Sequence, residues 1–459
     1  MELHLTEIIE ATRGKLIAGS PDSVITGIDI DSRKTGAGSL FIPLQGNRHD
    51  GHSFIGAACD GGATAALIRS GHSLKADCRQ AALIAVDDPL TSLGDIARLW
   101  RAKHSARVAV ITGSNGKTTT KEMVWSIISD RIPAIKNPGN WNNLIGLPLS
   151  LLQLESGHRA AVLEIGMSEP GEIKRLAEIS RPSIGLITNV GPSHLEQLHT
   201  LEGVQAAKAE LFTSLGTGET AIVNNDDPRV AALAGRTQAR TVSFGIGSGD
   251  IKAADIRGCN CFGSTFDLVL RQASITVNLQ VPGRECISNA LGAAAIACEL
   301  GLDAEDIKRG LESFRGVPGR MEMRTMQGIS IINDSYNANP ASMQASLRVL
   351  ADRPAGRQKI AVLGDMLELG PRAALFHREL GQTAASMAVD YIFVTGDFSS
   401  HVRDGALAAG MQGNRIVVCN NLETVAEKLK TLLHEGDSVL LKGSRKMQME
   451  KVLDLLQPP

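Results

Sequence analysis

Short apolar runs alternate with stretches of helical spacing along most of the chain. Residues 108–111, 160–165, 184–190 and 220–224 are such runs. Continuous apolar runs bounded by turn residues predict strands buried on both faces of a parallel sheet. Between them, residues 117–125, 202–215 and 285–300 predict helices, and Asp303 is placed to N-cap another. A sheet so built gathers its ligand at the carboxyl ends of its strands. Residues 251–281 break the pattern with short alternating strands and turns such as Cys261-Phe262-Gly263-Ser264, which predicts an antiparallel flap.

Either side of this region the pattern changes. Upstream, a helix at 5–11, strands at 24–30 and 40–44, a helix from 54 and a strand at 65–68 form a small first unit. Downstream, two glycines and a proline within Phe314-Arg315-Gly316-Val317-Pro318-Gly319-Arg320 suit a hinge. Beyond it, strands at 329–333, 360–363, 391–394, 416–418 and 438–441 alternate with helices, as in half of a nucleotide-binding fold. The expected class is α/β in three domains: a small N-terminal α/β domain (1–85), a central doubly wound parallel-sheet domain with an antiparallel flap (86–315), and a C-terminal Rossmann-like domain (316–459).

Composition narrows the partners. Among 459 residues 43% are hydrophobic but only 3% aromatic, so the cores should be rich in Leu, Ile, Val and Ala. Lys+Arg of 47 against Asp+Glu of 49 leaves a net charge of -2, which argues against a nucleic-acid surface and a membrane-seeking basic face. Anion recognition must be local. The N-terminal stretch is charged and amphipathic, unlike a signal peptide, and no run of about 18 apolar residues is present to span a bilayer. A soluble, cytoplasmic protein is expected. The seven cysteines, at 59, 78, 259, 261, 286, 298 and 419, are scattered and odd in number. Cys259 and Cys261 alone make a weak metal signal, so buried free thiols are the expectation.

The chemistry begins where the run 108–111 ends, at Thr112-Gly113-Ser114-Asn115-Gly116-Lys117-Thr118-Thr119. Glycines in such a turn let backbone N–H groups point at phosphate oxygens, and the following helix adds partial positive charge. Lys117 is placed for the β/γ-phosphates and the Thr118 hydroxyl for Mg²⁺. The strict phosphate-loop pattern wants glycine at 111, where this chain has Ile111, so Gly113 must make the turn in a shorter loop. Glu164 and His194 end strands of the same sheet, where a carboxylate and an imidazole meet a ligand. Lys208, mid-helix in Ala206-Ala207-Lys208-Ala209-Glu210, has the pattern of a solvated lysine. Asn140, Asn142 and Asn143 lie in a loop rich in neutral donors and acceptors, suited to a peptide-like or sugar-like substrate. Residues 334–340 form a similar loop. Ser32 and Arg33 sit in a polar turn able to hold a phosphate or a base edge, or simply to be solvated.

Taken together, DSR at 31–33, GSNGKTTTK, NPGNWNNLIGLP, LEIGM, TNVGPSHLE, AKAELF, NDSYNANP, LGDMLELG and LKGSR resemble the Mur ligase family over the whole chain. The asparagine loop, YNANP and LGDMLELG resemble the branch that adds D-Ala-D-Ala to UDP-MurNAc-tripeptide. The Asp-Asn-Pro-Arg motif of the diaminopimelate-adding branch is missing. The resemblance implies a central ATPase domain, with ATP phosphates bound by Gly113, Ser114, Asn115, Gly116, Lys117, Thr118 and Thr119. It implies two Mg²⁺ ions held by Thr118, Glu164 and His194, with a carbamylated Lys208 helping to place a metal. Asn289, Asp334 and Asn337 correspond to positions around the adenosine, and Arg320 to an arginine reaching the γ-phosphate. Lys117, Lys208, His194 and Arg320 are thus the implied catalytic group. Ser32 and Arg33 resemble uridine-diphosphate contacts. Glu285-Cys286 stands where the family usually has His-Asn, which alters the adenine side. A monomer acting on small molecules is expected. A folylpolyglutamate synthase is the nearest alternative, opposed by the long segment before the phosphate loop. A nucleotide-driven switch is another, opposed by the lack of a guanine-reading N-K-x-D motif.

Overall fold

The computed structural model describes residues 1–46, 49–73, 78, 80–260, 263–354 and 357–457, apart from the side chains of 259 and 260. Cys261 and the side chain of Cys259 therefore lie outside the described residues. The chain divides into two compact units. One comprises Met1–Val110, Ile132–Met167 and Gly171–Ile184, the other Ile111–Arg131, Ser168–Pro170 and Gly185–Pro459.

In the first unit a five-stranded sheet runs in the order Lys15–Ala18, Ala82–Val86, Ala65–Arg69, Ser39–Phe41, Gly27–Asp29. The last four strands are parallel and the first is antiparallel. Phe41, Ala66, Ile68 and Leu83 pack with Ile55 and Ala58 of the helix Ile55–Asp60, so the apolar strand faces have a partner layer. Helix Pro89–Ala102 starts where Asp88 accepts the Thr91 N–H and Pro89 supplies a pre-set φ at the first turn. Farther along the same unit, Ala160–Glu164 pairs in parallel with Ala134–Lys136.

The free-thiol expectation fails for two cysteines. Cys59 and Cys78 form a disulfide, with Cα atoms 5.6 Å apart. The fold brings the end of helix Ile55–Asp60 beside the segment entering Ala82–Val86, within the span a disulfide bridges. Cys298 and Cys419 remain thiols, and burial pushes the Cys298 thiol up to about 11.

In the second unit, Thr220–Asn224, Arg240–Ile246 and the start of Ile251–Asn260 pair in parallel. Gly263–Val269 and Ser274–Leu279 then continue antiparallel, which is the expected flap. A six-stranded sheet follows, in the order Glu322–Met326, Ile329–Asp334, Ser438–Lys442, Lys359–Leu363, Tyr391–Thr395, Ile416–Cys419. All its pairings are parallel except that of the edge strand Glu322–Met326. Ile331, Val362, Phe393, Val439 and Leu441 form its core. The carboxyl ends of Ile329–Asp334, Ser438–Lys442 and Lys359–Leu363 lie side by side, where an open α/β sheet binds ligands. The α/β class with parallel sheets stands as expected. No helix among the described residues is long and apolar enough to cross a membrane.

Candidate active site

The loop after Thr112 is shaped by two glycines that cannot be replaced without collision. Gly113 has φ 151 and Gly116 φ 81. A Cβ on Gly113 would lie 1.8 Å from Thr188 Oγ1, and one on Gly116 2.2 Å from Asn289 Oδ1. Ser114 Oγ donates to the Gly191 carbonyl at 2.9 Å, and Asn115 N–H donates to Asn189 Oδ1 at 2.9 Å. Thr188 Oγ1 and Asn189 Nδ2 both donate to the Asn115 carbonyl, at 2.5 and 3.1 Å. The loop is thus braced from the segment that follows the strand Ile184–Ile187. Lys117 begins the helix Lys117–Ile128 and reaches back, Nζ donating to the Gly113 carbonyl at 2.8 Å. Its charge therefore sits over the loop. Thr118 is buried, Thr119 half-buried, and Asn289 lies against Gly116 and Thr120.

Lys208 is not the solvated lysine its sequence pattern suggests. On helix Leu201–Thr213 it is 2% exposed. Burial, and after it the like charge of Lys117, push its amine far below the ordinary lysine range. Between the folded and unfolded pKa values the unfolded chain binds more protons, so stability rises with pH across that window. Lys208→Met should remove this penalty. In CO₂-free buffer the variant is expected to melt above wild type at pH 7. The gap should close as pH approaches ~10.4, the unfolded lysine value. Calorimetry over a pH series checks both parts.

Residues beyond 319 contribute directly to this loop. Asn339 N-caps the helix Pro340–Ala351, its Oδ1 accepting the Ser342 N–H. Its Nδ2 donates to Asn115 Oδ1 at 2.8 Å. Asn339→Ala should therefore lose about 1 kcal/mol of stability through the cap and raise KM for ATP. Asn339→Asp keeps the cap but not that amide donor, so it should raise KM at near wild-type stability. Thermal unfolding beside steady-state kinetics separates the two.

Asp334 is saturated: Lys442 Nζ, Ser346 Oγ and the Met321 N–H all donate to its carboxylate. Lys442 Nζ also donates to the Asn337 carbonyl, leaving the Asn337 side chain exposed. Arg320 stacks over the Tyr336 ring at 3.9 Å. His194, at φ 54, has Nδ1 2.7 Å from Glu368 Oε2, although the ring N–H is not aimed along that line. This imidazole contact holds the Glu368 carboxyl below the usual carboxylate range.

The first unit holds the other expected residues. Glu164 is 1% exposed. Asn142 Nδ2 donates to its Oε1 at 2.8 Å, and Asn137 brackets its backbone N–H and carbonyl. Asn142 is therefore engaged in orienting Glu164. Asn143 Oδ1 accepts the N–H groups of Ile145 and Gly146. Asn140 and Asn143 also line a cavity of about 780 Å³ together with Trp141, Asp31, Lys34 and Ile28. Ser32 and Arg33 occupy the turn between two lining residues without lining it themselves. Arg33 is clamped by Asp31 through two 2.8 Å contacts, which lower the Asp31 carboxyl to about 2. Asn189, Asn339 and Glu368 were not singled out as site residues by sequence. Each sits inside a recognised motif, TNVGPSHLE, NDSYNANP or LGDMLELG.

A glycine-shaped phosphate loop, braced from its own sheet and contacted by a second parallel-sheet segment, marks the chain as a nucleotide-dependent α/β enzyme. Comparison with known proteins defines it further. Residues 24–101 match the Mur ligase family catalytic domain, 111–297 the Mur ligase middle domain and 319–445 the Mur ligase glutamate ligase domain. The UDP-N-acetylmuramoyl-tripeptide--D-alanyl-D-alanine ligase of Bacillus subtilis is 34% identical over 95% of this chain and 94% of its own. The enzyme of that name from Escherichia coli is 34% identical over 100% and 99%. A MurF structure from Acinetobacter baumannii superposes with a TM-score of 0.91 at 32% identity, covering 99% of each chain. A MurF ligase from Thermotoga maritima in complex with ADP gives 0.82 at 30% identity, covering 94% and 96%. The chain belongs to the Mur ligase family, and it is an ATP-dependent ligase.

Proposed function

We propose that this chain joins D-alanyl-D-alanine to UDP-N-acetylmuramoyl-tripeptide, forming the pentapeptide precursor of peptidoglycan and so serving cell shape and division. The observation that carries the reading is the Asn115–Asn339 contact, which ties the phosphate loop to the C-terminal ligase segment. Its full-length likeness to ligases of that name supports the choice of substrates. In the proposed reaction the tripeptide carboxylate takes the γ-phosphoryl of ATP, giving an acyl phosphate and ADP. The amine of the dipeptide attacks the acyl carbon, loses a proton, and phosphate leaves. Lys117 and Arg320 offset charge on the transferring phosphoryl group. An acyl phosphate hydrolyses when wet, so the segment carrying Asn339 serves to exclude water.

The hydroxyl of Thr118, the carboxylate of Glu164 and the imidazole of His194 are chemically suited to hold Mg²⁺. When bound, Mg²⁺ would neutralise phosphate charge. A carbamate on Lys208 would add two further oxygens, and its depressed amine is the neutral form that takes up CO₂. Gly113–Thr119 are proposed as the phosphate site, with Asn289, Asp334 and Asn337 near the adenosine. Ser32, Arg33, Asn140, Asn142 and Asn143 are proposed for the UDP-linked substrate. The domain limits are proposed as 1–85, 86–315 and 316–459, and the protein as a cytoplasmic monomer. ADP release measured with UDP-MurNAc-tripeptide, with and without D-Ala-D-Ala, tests the reading. Release should require both. Release driven instead by a folate and glutamate would overturn it.

A further inference from the structure

We propose that Glu368 is a positioning residue for His194, so that the C-terminal ligase segment orients an imidazole of the phosphate-loop domain. The inference rests on the reading above that His194 helps to hold Mg²⁺. Its own support is geometric. Glu368 Oε2 lies 2.7 Å from His194 Nδ1, and Glu196 N–H donates to the Glu368 carbonyl at 3.2 Å. Two contacts therefore join the same pair of segments. Both Glu368, at φ 62, and His194, at φ 54, adopt the left-handed backbone that costs a residue with a side chain. Such a conformation persists only where its surroundings enforce it.

The surroundings of Glu368 do so. Met366 N–H donates to His377 Nε2 at 2.9 Å and Leu367 N–H to Ser444 Oγ at 2.9 Å. Asp365, buried, accepts the N–H groups of Asp397 and Phe398 at 2.7 and 3.2 Å. The loop that delivers the carboxylate is thus fixed from three sides. Yet Glu368 itself is 50% exposed, and a polar contact so placed adds little to stability. Its use must lie elsewhere. A carboxylate on one ring nitrogen selects the tautomer and leaves the other nitrogen as the ligand atom. Here the Glu368 carboxylate, 2.7 Å from Nδ1 though not in line with its N–H, disfavours a bare lone pair on that nitrogen, so it favours Nδ1–H and leaves Nε2 for the cation. Because residues 319–445 carry the carboxylate, the imidazole is set only when the two segments meet.

The test uses Glu368→Ala, Glu368→Gln and, for comparison, Asn339→Ala, all in the full chain. Nitrogen-15 shifts of His194, read at alkaline pH where the ring is neutral, should show Nδ1–H in wild type, in Glu368→Gln and in Asn339→Ala. Glu368→Ala should move to Nε2–H. The Mg²⁺ concentration for half-maximal ligation should rise ~10–100-fold in Glu368→Ala and less in Glu368→Gln. An unchanged tautomer in Glu368→Ala would overturn the proposal. So would a rate loss in that variant with an unchanged Mg²⁺ requirement. Failure of the substrate reading is separable: the tautomer result would stand while D-Ala-D-Ala was not ligated.

Discussion

Lys208→Ala is expected to lose at least ~100-fold in ligation rate, the scale for removing one placed electrostatic group, while keeping its fold. The side chain is buried on helix Leu201–Thr213, and its amine is driven toward neutrality by burial and by Lys117. In the proposed site a buried ammonium would repel the polyphosphate-bound cations. A neutral amine can attack CO₂: an N–C bond forms, a proton leaves, and the group becomes a −1 carbamate. Its two oxygens are ligands of the kind a hard cation prefers. Acetate or another small carboxylate should therefore partly restore Lys208→Ala by filling the vacated space. Lys208→Arg should stay inactive, because guanidinium remains charged at any usable pH. Wild-type activity in Lys208→Arg, or in Lys208→Ala without added acid, would contradict the account.

Lys117→Ala should lose at least ~10-fold in ligation rate, with the loss visible already in nucleotide binding. Lys117 Nζ sits over the loop against the Gly113 carbonyl, where the proposed role puts a point charge at the outer phosphates. Losing such a contact costs at least ~1.4 kcal/mol, a factor of ten in rate. The loop itself should survive, since Ser114 and Asn115 are braced by Gly191, Asn189 and Thr188 rather than by the lysine. A variant keeping more than about a tenth of the wild-type rate would remove Lys117 from the phosphate site.

The buried strands were readable because their signal is local. The runs before Gly113 and at Thr220–Asn224 are wholly buried, so apolar continuity marks them. Strands such as Lys15–Ala18, Ala134–Lys136 and Glu322–Met326 are short and have no fully buried position, so they leave no long apolar run to mark them. Lys208 misleads for a related reason. An alanine-flanked lysine next to a glutamate has the pattern of a solvated face, and only packing reveals its burial. Asn339 and Asn115 meet across 224 residues of chain, and Glu368 meets His194 across two domain segments. Neither pairing has a periodicity to betray it. The same holds for Cys59 and Cys78, whose approach depends on how a helix and a strand pack.

The central claim is that ATP drives amide formation by phosphorylating the tripeptide's carboxylate. UDP-MurNAc-tripeptide labelled with ¹⁸O in both oxygens of that carboxylate, supplied with ATP and D-Ala-D-Ala, tests it most directly. One labelled oxygen leaves with the phosphoryl group and the other stays in the new amide. Mass spectrometry should find one ¹⁸O in each phosphate released and one in each pentapeptide formed. Unlabelled phosphate accompanying pentapeptide formation would contradict the acyl-phosphate route, and ADP release without pentapeptide would contradict the ligase reading itself.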